Sequence, residues 1–101
     1  MRRIADEQID VVADTVTTLT KTLLDQAGGS KVTRARIENS PTSDTQVIWR
    51  LEDDPVAGPP IEGHVLDPGD VITIDGYEDL VAFKMLLTGG TDASVFVTYF
   101  S

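Results

Sequence analysis

GHVLDPGDVITIDGY, residues 63–77, sets two short apolar runs on either side of a proline–glycine turn and closes on a second glycine. In DPGD (67–70), Pro68 presets φ near about −65° for the first central position, and Gly69 supplies the positive φ that a type II turn requires at the second. The spacing predicts a strand that ends at Val65 or Leu66, a hairpin turn, and a second strand VITID with Ile72 and Ile74 pointing inward. A helix has no room here, so this stretch commits the middle of the chain to β structure.

The same period of two extends outward from that turn. VTRARIEN (32–39) separates Thr33, Ala35 and Ile37 from Val32, Arg34, Arg36 and Glu38, and QVIWRLED (46–53) separates Val47, Trp49 and Leu51 from Gln46, Ile48 and Arg50. ASVFVTYF (93–100) is apolar on both faces and rich in β-branched and aromatic residues, as expected of a strand covered by the core on one side and a neighbour on the other. Between these runs lie NSPTSD, DDPVAGPP, DPGD, IDGYED with Gly76, and TGGTD with Gly89 and Gly90. Turn chemistry recurring at such short intervals predicts an all-β fold, an antiparallel sandwich of Greek-key or jelly-roll type, with about seven short strands across residues 14–101.

The first 25 residues support two readings. Ile9, Val12, Val16, Leu19 and Leu23 step by three and four, which suits an amphipathic helix. TVTTLTKT, however, holds five threonines in eight residues, and β-branched side chains lose rotamer freedom in a helix, which favours a strand over residues 14–24. Residues 1–13 are polar enough to form an N-terminal arm or a short helix, with Ile4, Ile9 and Val12 as its candidate partner contacts.

Charge is distributed unevenly. Residues 1–50 hold seven Lys/Arg against seven Asp/Glu, whereas residues 51–101 hold Lys84 alone against ten acids, so the net charge of −9 lies in the second half. That field opposes nucleic-acid binding, which requires clustered Lys and Arg to displace phosphate counterions. Arg34, Arg36 and Arg50 form at most a local basic strip. No apolar run is long enough to cross a membrane, and the basic start lacks the apolar segment of a signal peptide, which points to a chain made in the cytoplasm. With no cysteine there is neither a disulfide framework nor a thiolate metal site.

Catalytic signatures are lacking. His64 is the single histidine, and a lone ring at a strand edge is read as structural or solvated; no nucleophile elbow, phosphate loop or zinc-protease spacing accompanies it. The acids cluster in turns, where Asp bonds its own backbone. Calcium is the strongest metal candidate, at Glu52–Asp54, Asp67/Asp70 or Asp75/Glu78/Asp79, although none has the EF-hand spacing. The expectation is no cofactor and no enzyme. A carbohydrate-binding module would need two or three of Trp49, Tyr77, Phe83, Phe96, Tyr99 and Phe100 on one exposed platform, whereas the parity of Trp49 and Tyr99 assigns both to the core.

Arg34, Ile37 and Asn39 in an R-x-x-I-x-N strand, then Gly63, Leu66, Pro68, Gly69, Ile74 and Gly76, then Gly89 and Gly90, form a pattern over residues 14–100 that resembles small bacteriophage structural proteins. The resemblance implies a virion β-sandwich, assembled in the host cytoplasm, that decorates or cements the capsid by contact with the major capsid protein or neighbouring virion proteins. It equally accommodates an adaptor of the neck, tail or fibre attachment. A homo-oligomer is expected, and a trimer is the form suited to a threefold position.

Overall fold

The computed structural model describes residues 3–25, 32–58, 60–90 and 92–101. In chain order these form β1 (Arg3–Val12), β2 (Thr17–Thr18), α1 (Lys21–Leu24), β3 (Arg34–Asn39), β4 (Val47–Leu51), β5 (His64–Leu66), β6 (Val71–Asp75), α2 (Tyr77–Ala82), β7 (Phe83–Leu87) and β8 (Asp92–Phe100). Two four-stranded sheets result, sheet A in the order β1-β8-β3-β6 and sheet B in the order β2-β7-β4-β5. β1 pairs with β8, β2 with β7, β3 with β6 and β4 with β5, all antiparallel. This nested pairing is the winding of a jelly roll, a long folded-back ribbon wrapped into two facing sheets. The strands number one more than the roughly seven expected.

Alternation along each strand supplies the core. Ala35 and Ile37 of β3 and Ala93, Val95, Val97 and Tyr99 of β8 point inward from sheet A, while Val47, Leu66, Phe83, Met85 and Leu87 meet them from sheet B, all buried. Fully burying a side chain of the Val, Leu, Ile or Phe class contributes about 1.5–3 kcal/mol relative to leaving it in water. β8 is one of the two interior strands of its sheet, hydrogen-bonded to β1 on one edge and β3 on the other. Its second face is not covered by a neighbour, however: Phe96 is 40% exposed.

Residues 3–12 are neither a free arm nor a short helix. They form the edge strand of sheet A, in register with β8 from Ala5↔Tyr99 to Val12↔Asp92. An irregularity between Arg3 and Ala5 lets Ile4 pack against the core, and Ile9 does so from the regular part of the strand. The burial these two gain, together with a ladder the length of β8, outweighs the polarity that suggested an arm. Residues 14–24 divide between the two readings, with β2 covering two residues and α1 four. IDGYED likewise is not all turn, because α2 starts at Tyr77 and buries Leu80, with Glu78 and Asp79 in the first turn where the helix dipole favours them.

The Pro68–Gly69 turn forms as expected but does not make a hairpin. Asp70 N–H donates to the Asp67 carbonyl at 2.9 Å and Gly69 has φ 90°, yet β5 lies in sheet B and β6 in sheet A. A type II turn has the wrong twist for a two-residue hairpin and splays the strands it joins, so here it carries the chain from one sheet to the other. Asn39 holds the crossing in place. Its backbone carbonyl accepts from Gly69 N–H at 2.7 Å, its backbone N–H donates to Asp70, and its buried side-chain amide donates to the Leu66 and Thr45 carbonyls at 3.0 and 3.1 Å.

Candidate functional site

Three of the sheet B strands carry adjacent apolar pairs: Val47–Ile48, Val65–Leu66 and Leu86–Leu87. Successive strand side chains alternate faces, so one member of each pair must leave the core. The register aligns the outward members, with Ile48 opposite both Val65 and Leu86, and the inward members, with Val47 opposite both Leu66 and Leu87. Val16, one residue before β2, stands where the β2–β7 register leads toward Leu86. The outer face of sheet B therefore carries an apolar row in the order Val16, Leu86, Ile48, Val65. Its ends are open, Val16 at 38% and Val65 at 42% exposed, and its middle is closed, with Ile48 at 0%.

The closure over Ile48 depends on Gly63. A Cβ at that position would stand 2.5 Å from Ile48 Cγ2 and 2.9 Å from the Trp49 carbonyl oxygen, and φ is 138°. No residue larger than glycine fits there. Beyond Gly63, the 52–62 loop is fastened to the same face by charge. Lys84 Nζ lies 3.1 Å from Asp54, and Arg50 reaches the Asp54 carbonyl at 3.3 Å and the Asp53 carboxylate at 3.4 Å. A Val56↔Glu62 bridge closes the loop, which leaves Val56 and Ile61 exposed beside the apolar row.

At the edge of the sandwich, Trp49 is half-buried rather than fully in the core. Its ring stacks on Phe83 at 5.5 Å and meets His64 at 4.6 Å. Trp49 and His64, with Arg50, Leu51, Glu62 and Gly63, border an open cleft of about 550 Å³. His64 is thus a stacking partner of the tryptophan, consistent with its structural reading. Tyr99 is buried, as its parity required.

The outer face of sheet A is of mixed character. Across it run Gln8, Phe96, Glu38 and Val71 in one row and Asp6, Thr98, Arg36 and Thr73 in the next. Phe96, with Asp6, Gln8 and Thr98, borders a shallow groove of about 340 Å³. Comparison with protein-family models, with curated proteins and with solved structures found no match to this chain.

The residues singled out from sequence do not converge on one place. Ile4 and Ile9 are packed inward, and only Val12, 46% exposed at the end of β1, is available to a partner. Pro68 and Gly69 form the inter-sheet turn, Gly76 precedes α2, and Gly89 and Gly90 lie in the β7–β8 loop, where Gly90 sits against Thr45. The three arginines form no strip. Arg34 pairs with Asp75 and Arg36 with Glu38 on sheet A, whereas Arg50 serves the sheet B loop. The turn acids are similarly divided, Asp67 with Gln46, Asp70 with the Asp67 backbone, and Asp53 and Asp54 with cations. Among the described residues, no three His, Cys, Asp or Glu side chains group as metal ligands, and no helix is long and apolar enough to cross a membrane.

Proposed function

We propose that this chain is a structural subunit of a bacteriophage virion, a decoration protein that seats the outer face of sheet B on the shell of major capsid protein. The observation that carries the reading is the set of exposed apolar residues Val16, Val65, Val56 and Ile61 on and beside the row that Ile48 closes in the middle, edged by the Lys84 and Arg50 ion pairs. An apolar stripe with a charged rim on a flat sheet suits another protein surface better than a small ligand, which prefers a concave site. The sequence resemblance supports the virion setting. The net charge of −9 on each copy would make a decorated particle strongly acidic and keep neighbouring particles apart in solution. On this reading the subunit is a homo-oligomer, and a trimer fits a threefold position.

The test is mass spectrometry and electron microscopy of particles produced from the phage genome that carries this sequence. Decoration predicts a copy number comparable with the major capsid protein, and a Val65→Glu variant that folds normally yet leaves the shell. A copy number of only a few per particle would instead support a neck, tail or fibre-attachment adaptor. Absence from particles would overturn the virion reading.

A glycan-binding module is the second reading, favoured by the groove beside Phe96, where an aromatic face stands next to the amide of Gln8 and the carboxylate of Asp6. Phe100 lies on the same face of β8. Loss of oligosaccharide binding on Phe96→Ala would support it.

A further inference from the structure

We infer that the free edge of β1 is a docking site for an extended basic segment of a partner protein, which would add to sheet A as a fifth strand. β1 is the terminal strand of that sheet and runs for ten residues, whereas the other edge strands, β2, β5 and β6, have two, three and five. Among the described residues, the one backbone bond made to β1 outside its ladder with β8 goes to the Val12 carbonyl at its very end, from Thr15 N–H. The remaining outward N–H and C=O groups thus form a template about 30 Å long for strand addition.

The side chains bordering this edge select the occupant. On the outer face β1 presents Asp6, Gln8 and Asp10 in succession, and Arg3 sits at the strand's first residue with its guanidinium 2.9 Å from Asp6. A second copy of the chain is a poor partner. Two antiparallel registers use nine of the ten residues: centred on Gln8, Asp6 of each copy would face Asp10 of the other, and centred on Glu7, the two Glu7 side chains would face each other, and like charges directly opposite destabilise a sheet pair. A strand with Lys or Arg at alternate positions reverses both terms. The inward side of β1 is already engaged, because Glu7 accepts from Tyr99 and from Thr20, so the added strand needs to match only the outer face. This edge is separate from the sheet B row, and the inference holds whether or not the chain belongs to a virion.

The experiment uses the whole isotope-labelled protein and two capped ten-residue peptides, one alternating Lys with Thr and Val and one with Glu in place of Lys. The Lys peptide should shift and protect amides along β1, bind at least about tenfold more tightly than the Glu peptide, and weaken as salt is raised. Asp6→Asn with Asp10→Asn, which keeps the side-chain shapes, should abolish that preference, and Asp6→Lys with Asp10→Lys should reverse it. Light scattering of the protein alone should show no association through this edge. Equal binding of both peptides, perturbation elsewhere than β1, no binding at all, or a wild-type dimer broken by the lysine pair would each overturn the proposal. In the no-binding case the acids merely guard the edge.

Discussion

The phenolic hydroxyl of Tyr99 donates to the carboxylate of Glu7, joining residues 92 positions apart in the chain. Thr20 Oγ1 donates to the other oxygen of that carboxylate at 2.6 Å. A charge turned toward the core on an edge strand is costly unless bonded, and these two donors make it tolerable.

Burial pushes the Tyr99 hydroxyl well above the ordinary tyrosine range, and the hydrogen bond to Glu7 pushes it further in the same direction. A pKa raised in the folded state means that the stability from this group is complete below the unfolded value of about 10 and is lost as pH rises past it. The melting temperature should therefore fall above about pH 10, and Tyr99→Phe should flatten that alkaline limb while costing about 1 kcal/mol at neutral pH. Lys21, raised by its bond to Asp25, acts with the same sign but lies in solvent, so its part is small. Calorimetry of both proteins across the alkaline range checks the expectation, and parallel curves would refute it.

Gly63 and Gly69 both have positive φ but for different reasons. Nothing lies within 4 Å of a Cβ built at Gly69, so Gly69→Val costs only the backbone penalty, about 1–2 kcal/mol. Gly63→Ala adds the collision with Ile48 and Trp49 to that strain and should destabilise more than Gly69→Val, even though alanine is the smaller side chain. Denaturant titrations of the two variants give the order directly.

Asn39→Leu removes the donor that joins the end of sheet A to the Leu66 carbonyl of sheet B and the Thr45 carbonyl of the loop between β3 and β4. Two buried or half-buried carbonyls then lose their partner, at a cost of about 2 kcal/mol or more. Hydrogen exchange should quicken first at the amides of Gly69, which donates to the residue 39 carbonyl, and of residue 39 itself, which donates to the Asp70 carbonyl. Quickening confined to distant strands would mean that Asn39 does not hold the crossing.

Chelation should leave the melting temperature unchanged, because Asp53, Asp54, Asp67 and Asp75 already meet protein donors. A drop on adding EDTA, reversed by calcium, would restore a loop metal site.

The inward positions of β3 and β4 are legible from alternation, since each shows one apolar face, whereas β8 is apolar on both faces and only the structure shows that Phe96 lies outward. The partner of each strand is not legible in this way. Pro68–Gly69 suits a hairpin by turn type alone, and it is the twist of a type II turn that sends its flanking strands to different sheets. β1 resembles an arm in sequence because Asp6, Glu7, Gln8 and Asp10 mask the alternation of Ala5, Ile9 and Val11, and its ladder partner lies at the far end of the sequence. The sheet B row was present in plain form, as three adjacent apolar pairs. Only the register reveals that their outward members line up.

Nested pairing also places a condition on the order in which the molecule can form. β8 is an interior strand of sheet A and the partner of both β1 and β3, so until β8 (Asp92–Phe100) has been synthesised β1 has no ladder and β3 has only the one with β6. The chain must wait, with Ile4, Ile9, Val11 and Ile37 unsheltered, and the loop it then closes spans nearly its whole length. Contacts so far apart in sequence form slowly. Folding of the sandwich should accordingly be an all-or-none event that waits for β8, and a chain cut short before that strand would be left without an interior strand of sheet A.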